Sequence, residues 1–175
     1  MKTLAEIRLN FDLYPQEICS RISYFKNLRI DWDVFLPTKK MNLQRGYCWS
    51  LSQKRDLIWS VLIRRHIPHC AVINSIDKNN DREDVWLIID GKQRLSTIFD
   101  FVDNKFSIEI DGNEYLFSEL PMDYQKAILN YSFRYYVVNE PWETRITDEQ
   151  KIAWFRFINF AGTAQDNEHL KKLES

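Results

Sequence analysis

Glycine and proline are sparse in this 175-residue sequence, at 4 and 5 residues, and no stretch rich in Pro, Gly or Ser divides it. Without such a linker, one domain over residues 1–175 is the expected organisation, and the length suits one core rather than two. Cysteine is scarcer still: Cys19, Cys48 and Cys70 are odd in number, widely spaced and free of any C-x-x-C pair. That argues against a zinc site or a dithiol redox motif and favours a reducing compartment. Neither charge sign is in excess, since 24 Lys+Arg against 25 Asp+Glu leave a net charge of -1. There is thus no whole-protein basic field of the kind that draws nucleic acid, and any DNA contact has to come from a local patch. No apolar run approaches the roughly 18 residues of a membrane helix, and Met1 to Asn10 lack the apolar stretch of a signal peptide. The expected location is the cytoplasm, with no membrane contact. The motifs G-x-S-x-G and G-x-x-x-x-G-K-[ST] are missing, which removes classical hydrolase and Walker-type readings.

What is present is a globular composition, 45% hydrophobic and 14% aromatic with 28% charged residues. Ile18, Ile22 and Phe25 recur at helical spacing after Pro15, predicting a first helix of about three turns. Ser50 and Gln53 form a capping box before a helix that buries Leu57, Ile58, Val61 and Leu62. The apolar runs 71–76 and 85–89 read as strands joined by a polar loop. Directly after the second come Asp90-Gly91 and then Leu95, Ile98, Phe99 and Val102 at helical spacing, giving strand, tight turn, helix. Asp111-Gly112-Asn113 marks a short hairpin. Ala127, Ile128 and Tyr131 suggest another short helix, and residues 133–138 a further strand. A last helix starts near Thr147, capped by Gln150, presents Ile152, Phe155 and Ile158, and ends at Gly162. This mixture predicts an α/β (α+β) fold.

The turn Asp90-Gly91-Lys92-Gln93-Arg94 gathers the chemistry. Gly91 lets backbone approach a ligand, the first-turn amides lack intrahelical acceptors, and the helix dipole adds partial positive charge. Lys92 and Arg94 add full charges, and Arg94 can grip a phosphate with two parallel hydrogen bonds. Asp90 repels an anion, so its functional uses are a metal, a ribose hydroxyl or an arginine. The plainer reading is an ordinary Asp-Gly turn with a solvated basic first turn, although cations at a helix start oppose the dipole. In a second cluster, residues 43–49, Arg45 could reach the same anion while Tyr47 or Trp49 stacks on a base; the alternative puts both rings in the core and pairs Arg45 with a carboxylate. His66, His69 and Cys70 are a poor metal site, because Pro68 disrupts their spacing and no matching cluster occurs elsewhere.

Taken in order, Gln44-Arg45 with Tyr47 and Trp49, then Ile67-Pro68, then Ile89 to Ile98 around Asp90-Gly91-Lys92-Gln93-Arg94-Leu95, resemble the amino-terminal domain of GmrSD-type modification-dependent restriction enzymes. That family carries a Y-Q-R-x-Y-x-W segment and then a D-G-Q-Q-R-L-T-T segment. Phe157-Ile158-Asn159 with Gly162-Thr163 and Glu168-His169-Leu170 is similar to its R-I-N-x-x-G stretch, so the likeness runs from about residue 28 to 170. Lys92 stands where the family usually has glutamine, and Gly46 where proline is common.

The resemblance implies a ParB/sulfiredoxin-like fold, a small mixed sheet with packed helices. It also implies binding, or hydrolysis, of a nucleoside triphosphate that regulates DNA cleavage. Arg45, Gly91, Lys92, Gln93, Arg94 and Asn159 are then the ligand-binding residues, with Asp90 and Arg94 in any catalysis and Asp90 on Mg2+. Sulfiredoxin's catalytic cysteine falls at Lys92, so peroxiredoxin repair is not expected. The helical and nuclease regions of such enzymes find no counterpart, and His66, His69 and His169 are the only histidines, so DNA cleavage by this chain alone is not expected either. Implied partners are a nucleotide, DNA, a separate nuclease or effector chain, or a second copy, in a phage or mobile-element protein acting in a bacterial host. Two other readings stay open: a non-catalytic structural or interaction protein that keeps the fold, and a ParB-like DNA-binding module.

Overall fold

A computed structural model describes residues 13, 15–76, 84–141 and 143–160. After Pro15 the chain forms strand β1 (Gln16–Arg21) and then a single helical turn, α1 (Ile22–Phe25). The three-turn helix expected here is thus overturned. β1 pairs antiparallel along its whole length with a strand near the other end of the sequence, placing Ile18 opposite Tyr135. Ile22 and Phe25 are fully buried as expected, but from a short turn that drops off the strand end. Long-range pairing outweighs a helical spacing that only three residues carried.

Short strands β2 (Ile30–Asp31), β3 (Phe35–Leu36) and β4 (Met41–Asn42) lead to α2 (Leu51–Leu62). The Ser50 box forms as read: Gln53 N donates to Ser50 Oγ, and Ser50 N donates to Gln53 Oε1. β5 (Cys70–Ile76) and β6 (Asp84–Asp90) form an antiparallel pair. α3 (Lys92–Val102) follows at once, then the hairpin strands β7 (Ile108–Ile110) and β8 (Asn113–Tyr115). The hairpin turn puts its positive φ on Asp111 and Gly112, and Asn113 already belongs to β8. A 3-10 turn (Phe117–Glu119), α4 (Met122–Leu129), β9 (Ser132–Asn139) and α5 (Asp148–Phe160) complete the described chain. Thr147 and Gln150 exchange the two expected capping bonds. Gly162, the expected end of α5, lies outside the described residues.

The main sheet has the order β1-β9-β5-β6-β2. Pairing is antiparallel for β1/β9 and β5/β6 and parallel for β5/β9 and β2/β6, so the sheet is mixed and the fold is α+β as expected. Strand side chains alternate between faces, and both faces are covered. Val72, Ile88, Tyr135 and Val137 face a core completed by Phe25, Ile58, Leu95, Phe101 and Ile128 from the first four helices. Ala71, Ile73, Ile89 and Val138 face a second core closed by Leu36 and Leu43 of the β3–β4 region and by Ile152 and Phe155 of α5. A register shift between Ala71 and Val72, which face Asp90 and Ile88, leaves Ile89 as an extra residue on β6. Such a bulge re-aims the strand end, and the end in question is Asp90.

Candidate functional site

The turn after β6 is built around Gly91, the N-cap of α3, at φ +97. That left-handed backbone is open to glycine and strained for other residues. Space excludes a side chain as well: a Cβ there would lie 2.3 Å from Cys70 Sγ and 2.9 Å from Cys70 Cβ. Cys70, at the start of β5, is fully buried, and this burial raises its thiol pKa above the ordinary 9.0 even with Arg94 beside it.

Each residue expected to act here has a definite place. Arg94 Nη2 donates to Asp90 Oδ2 at 2.7 Å and to the His69 carbonyl at 3.1 Å. Burial opposes the charge of Arg94, yet its pKa stands above the ordinary value because of Cys70 and Asp90. Since the Cys70 thiol is itself held neutral by burial, the Asp90 carboxylate is the partner that counts. Arg94 Nε is buried and finds no oxygen or nitrogen acceptor among the described residues, the Cys70 sulfur beside the guanidinium being a weak acceptor at best. Orphan donors of this kind are rare in folded proteins and call for an explanation.

Lys92 is buried, and its ammonium donates to Asp33 Oδ1. Gln93 ties the turn to the upstream cluster, donating to the Gly46 carbonyl and accepting from Cys48 N. Gln44 donates to the Ile88 carbonyl and fixes the same loop to β6. Arg45 projects from that loop as an exposed side chain and has no ion-pair partner among the described residues, so the carboxylate pairing considered for it does not occur. Tyr47 donates to or accepts from Thr97 Oγ1, with Lys54 over its ring.

These groups surround a cavity of about 110 Å³ lined by Gln44, Arg45, Trp49, Asp90, Gly91, Lys92, Gln93, Arg94 and Phe155. Arg45, Gly91, Lys92, Gln93 and Arg94 are therefore brought together, and Asp90 is the single carboxylate in the wall against three cations. Trp49 is in the wall and Tyr47 is not. Asn159 is also outside it: its amide donates to the Phe155 carbonyl within α5. Two contributors escaped sequence reasoning. Asp33 lies 59 residues before its partner Lys92, and Cys70 abuts Gly91 only because β5 and β6 pair.

Over residues 24–174 the chain matches the family model described as GmrSD restriction endonuclease, N-terminal domain. It belongs to this family. No curated protein and no solved structure gives a significant match. As a GmrSD N-terminal domain, the chain is associated with restriction endonucleases, and its cavity lies on the segments that carried the resemblance. Among the described residues no three His, Cys, Asp or Glu side chains are grouped to hold a metal, and no helix is long and apolar enough to cross a membrane. His66 and His69 have ring centroids 5.6 Å apart, with Tyr136 packed edge-on against His69.

Proposed function

We propose that this GmrSD N-terminal domain binds a nucleoside triphosphate and uses it to regulate DNA restriction or its counter-defence. The observation that carries the reading is the pairing, in one cavity, of an exposed Arg45 without an ion-pair partner among the described residues and an Arg94 with a donor that finds no acceptor among them, at the start of α3. Lys92 and Arg94 are each matched by a carboxylate, Asp33 and Asp90, so the charge that favours an oxyanion is that of the exposed Arg45, with the first-turn amides and the helix dipole.

At about 110 Å³ the cavity is smaller than the roughly 300–1,000 Å³ typical of whole small-molecule sites. It suits one phosphoryl group, so sugar and base would lie outside it, across Arg45 and Trp49. A Mg2+ at this point would have Asp90 as its one protein carboxylate, with phosphates and water supplying the other ligands. Asp90 is committed to Arg94, so the residues as arranged do not fit a metal, and no step here runs through one. Positioning and charge neutralisation by Arg45, Lys92 and Arg94 are what these residues offer to phosphoryl chemistry.

Calorimetric titration with each of the four triphosphates, with and without Mg2+, tests the reading. Binding of at least one is expected, weakened about tenfold by Arg45→Ala for the loss of one charge-assisted contact. No heat from any triphosphate, or equal binding by Arg94→Ala, overturns it.

The Arg94–Asp90 pair favours a second reading, a non-catalytic structural or interaction protein in which the two residues serve the fold. Under that reading the triphosphates give no heat, while Arg94→Ala still lowers stability.

A further inference from the structure

A larger cavity of about 560 Å³ opens at the opposite end of β6 from Gly91. Its floor is the sheet face that the second core covers elsewhere. Along β6, Ile89 is fully buried, whereas Leu87 and Val85 on the same face are only half-buried. The cover formed by α5 and the β3–β4 region packs against Leu87 but hides neither it nor Val85 completely, and Phe35 at the rim is 55% exposed. A Val-Leu-Ile strand face inside a helix-covered sheet would ordinarily be buried throughout.

The polar part of the wall holds Arg29, Arg145 and Lys151 with Asp31 and Glu140, and Asp148 stands beside Lys151. Both Glu140 oxygens are taken: Oε1 accepts from Ile146 N, and Oε2 accepts from Ser75 Oγ and from Arg145 Nη1. Asp31 Oδ1 is occupied as well, accepting from the backbone N–H groups of Asp33 and Val34. Lys151, half-buried, has among the described residues a single 3.5 Å contact to Asp148 Oδ1, and the other oxygen of Asp148 is held by Thr38. An ammonium has three donors, so Lys151 keeps capacity for an acceptor in the cavity.

We propose that this cavity is a second ligand site, for an amphipathic organic anion whose flat apolar body lies on Val85 and Leu87 and whose acidic group meets Lys151 and Arg145. The volume falls within the roughly 300–1,000 Å³ of small-molecule sites, and the combination of an apolar floor with a few convergent polar groups is their usual construction. The site is separate from the triphosphate cavity and does not rest on that reading. One element reaches both, since α5 places Lys151 in the wall of one and Phe155, one turn on, in the wall of the other.

The test is an amide 1H–15N NMR titration of the full chain with 8-anilinonaphthalene-1-sulfonate, an aromatic body bearing one sulfonate. Saturable shifts are expected around Val85, Leu87, Ile146 and Lys151. Lys151→Gln is expected to weaken binding about tenfold, as the loss of one charged hydrogen bond implies, and Leu87→Glu to abolish it. Lys105→Gln, an exposed side chain outside the cavity wall, is expected to leave it unchanged. Shifts scattered over the surface or centred elsewhere, an affinity untouched by Lys151→Gln, or no saturation overturns the proposal. Should Leu87→Glu not fold, Lys151→Gln decides alone.

Discussion

Arg94 Nη2 stands 2.7 Å from Asp90 Oδ2, four positions earlier, with both side chains largely withdrawn from water. The pair clamps the end of β6 to the first turn of α3 and fixes the guanidinium at the edge of the smaller cavity. Removing one member of such a pair leaves the other charge shielded and unmatched. Arg94→Ala is expected to lower unfolding stability by about 3 kcal/mol, the lower end for a buried pair because some solvent reaches both groups. Asp90→Asn combined with Arg94→Ala is expected to cost less than the two single changes added together. Urea midpoints of the three variants check this, and simple additivity would show that the pair is not coupled.

Gly91 is constrained twice, by φ +97 and by the 2.3 Å approach of a would-be Cβ to Cys70 Sγ. Gly91→Ala is expected to cost about 2 kcal/mol or more from backbone strain and overpacking. Cys70→Ala removes the sulfur but not the torsional demand, so the double variant is expected to recover only part of the loss. Thermal unfolding of the two single variants and the double one separates the contributions.

The Glu140 side chain is largely covered, which by itself would raise its pKa, yet hydrogen bonds from Ser75, Arg145 and Ile146 N hold the carboxyl below its ordinary 4.5. A carboxylate depressed on folding contributes stability that is present above the unfolded value and lost as pH falls through the lower folded value. The midpoint of urea unfolding is therefore expected to decline below pH 4.5, and Glu140→Gln to flatten part of that decline. Asp148, likewise lowered by Thr38 and Lys151 against the effect of burial, contributes in the same direction below 3.8. A Glu140→Gln profile parallel to the wild type would remove Glu140 from this account.

Cys19 and Cys48 are exposed and Cys70 is buried. Burial raises the Cys70 thiol pKa, and the thiolate is the reactive form. With a disulfide-exchange reagent at neutral pH, two thiols are expected to react in the native protein and the third only in denaturant. Rapid reaction of all three would show that the Cys70–Gly91 contact opens in solution.

Features whose partners lie within a few residues were legible from sequence. Ser50 with Gln53, Thr147 with Gln150, and the Asp111-Gly112 turn each act across three positions or fewer, and each formed. The strand, turn and helix around Asp90-Gly91 belong to the same class. What escaped depends on pairing between distant segments. Ile18, Ile22 and Phe25 fit a helix in isolation, but β9 supplies a strand partner more than a hundred residues away. The capture of Lys92 by Asp33, the closeness of Cys70 to Gly91 and the saturation of Glu140 likewise appear only once the strands are in register. The larger cavity is a gap between layers, and no single segment announces it.

Helix α5 is a beam shared by two rooms, with Lys151 at one doorway and Phe155 at the other. Because one stiff helix lines both, a sideways shift that widened one room would alter the outline of its neighbour. Were an occupant of one room to displace the rod, thermodynamic reciprocity would make the influence of each occupant on the other equal.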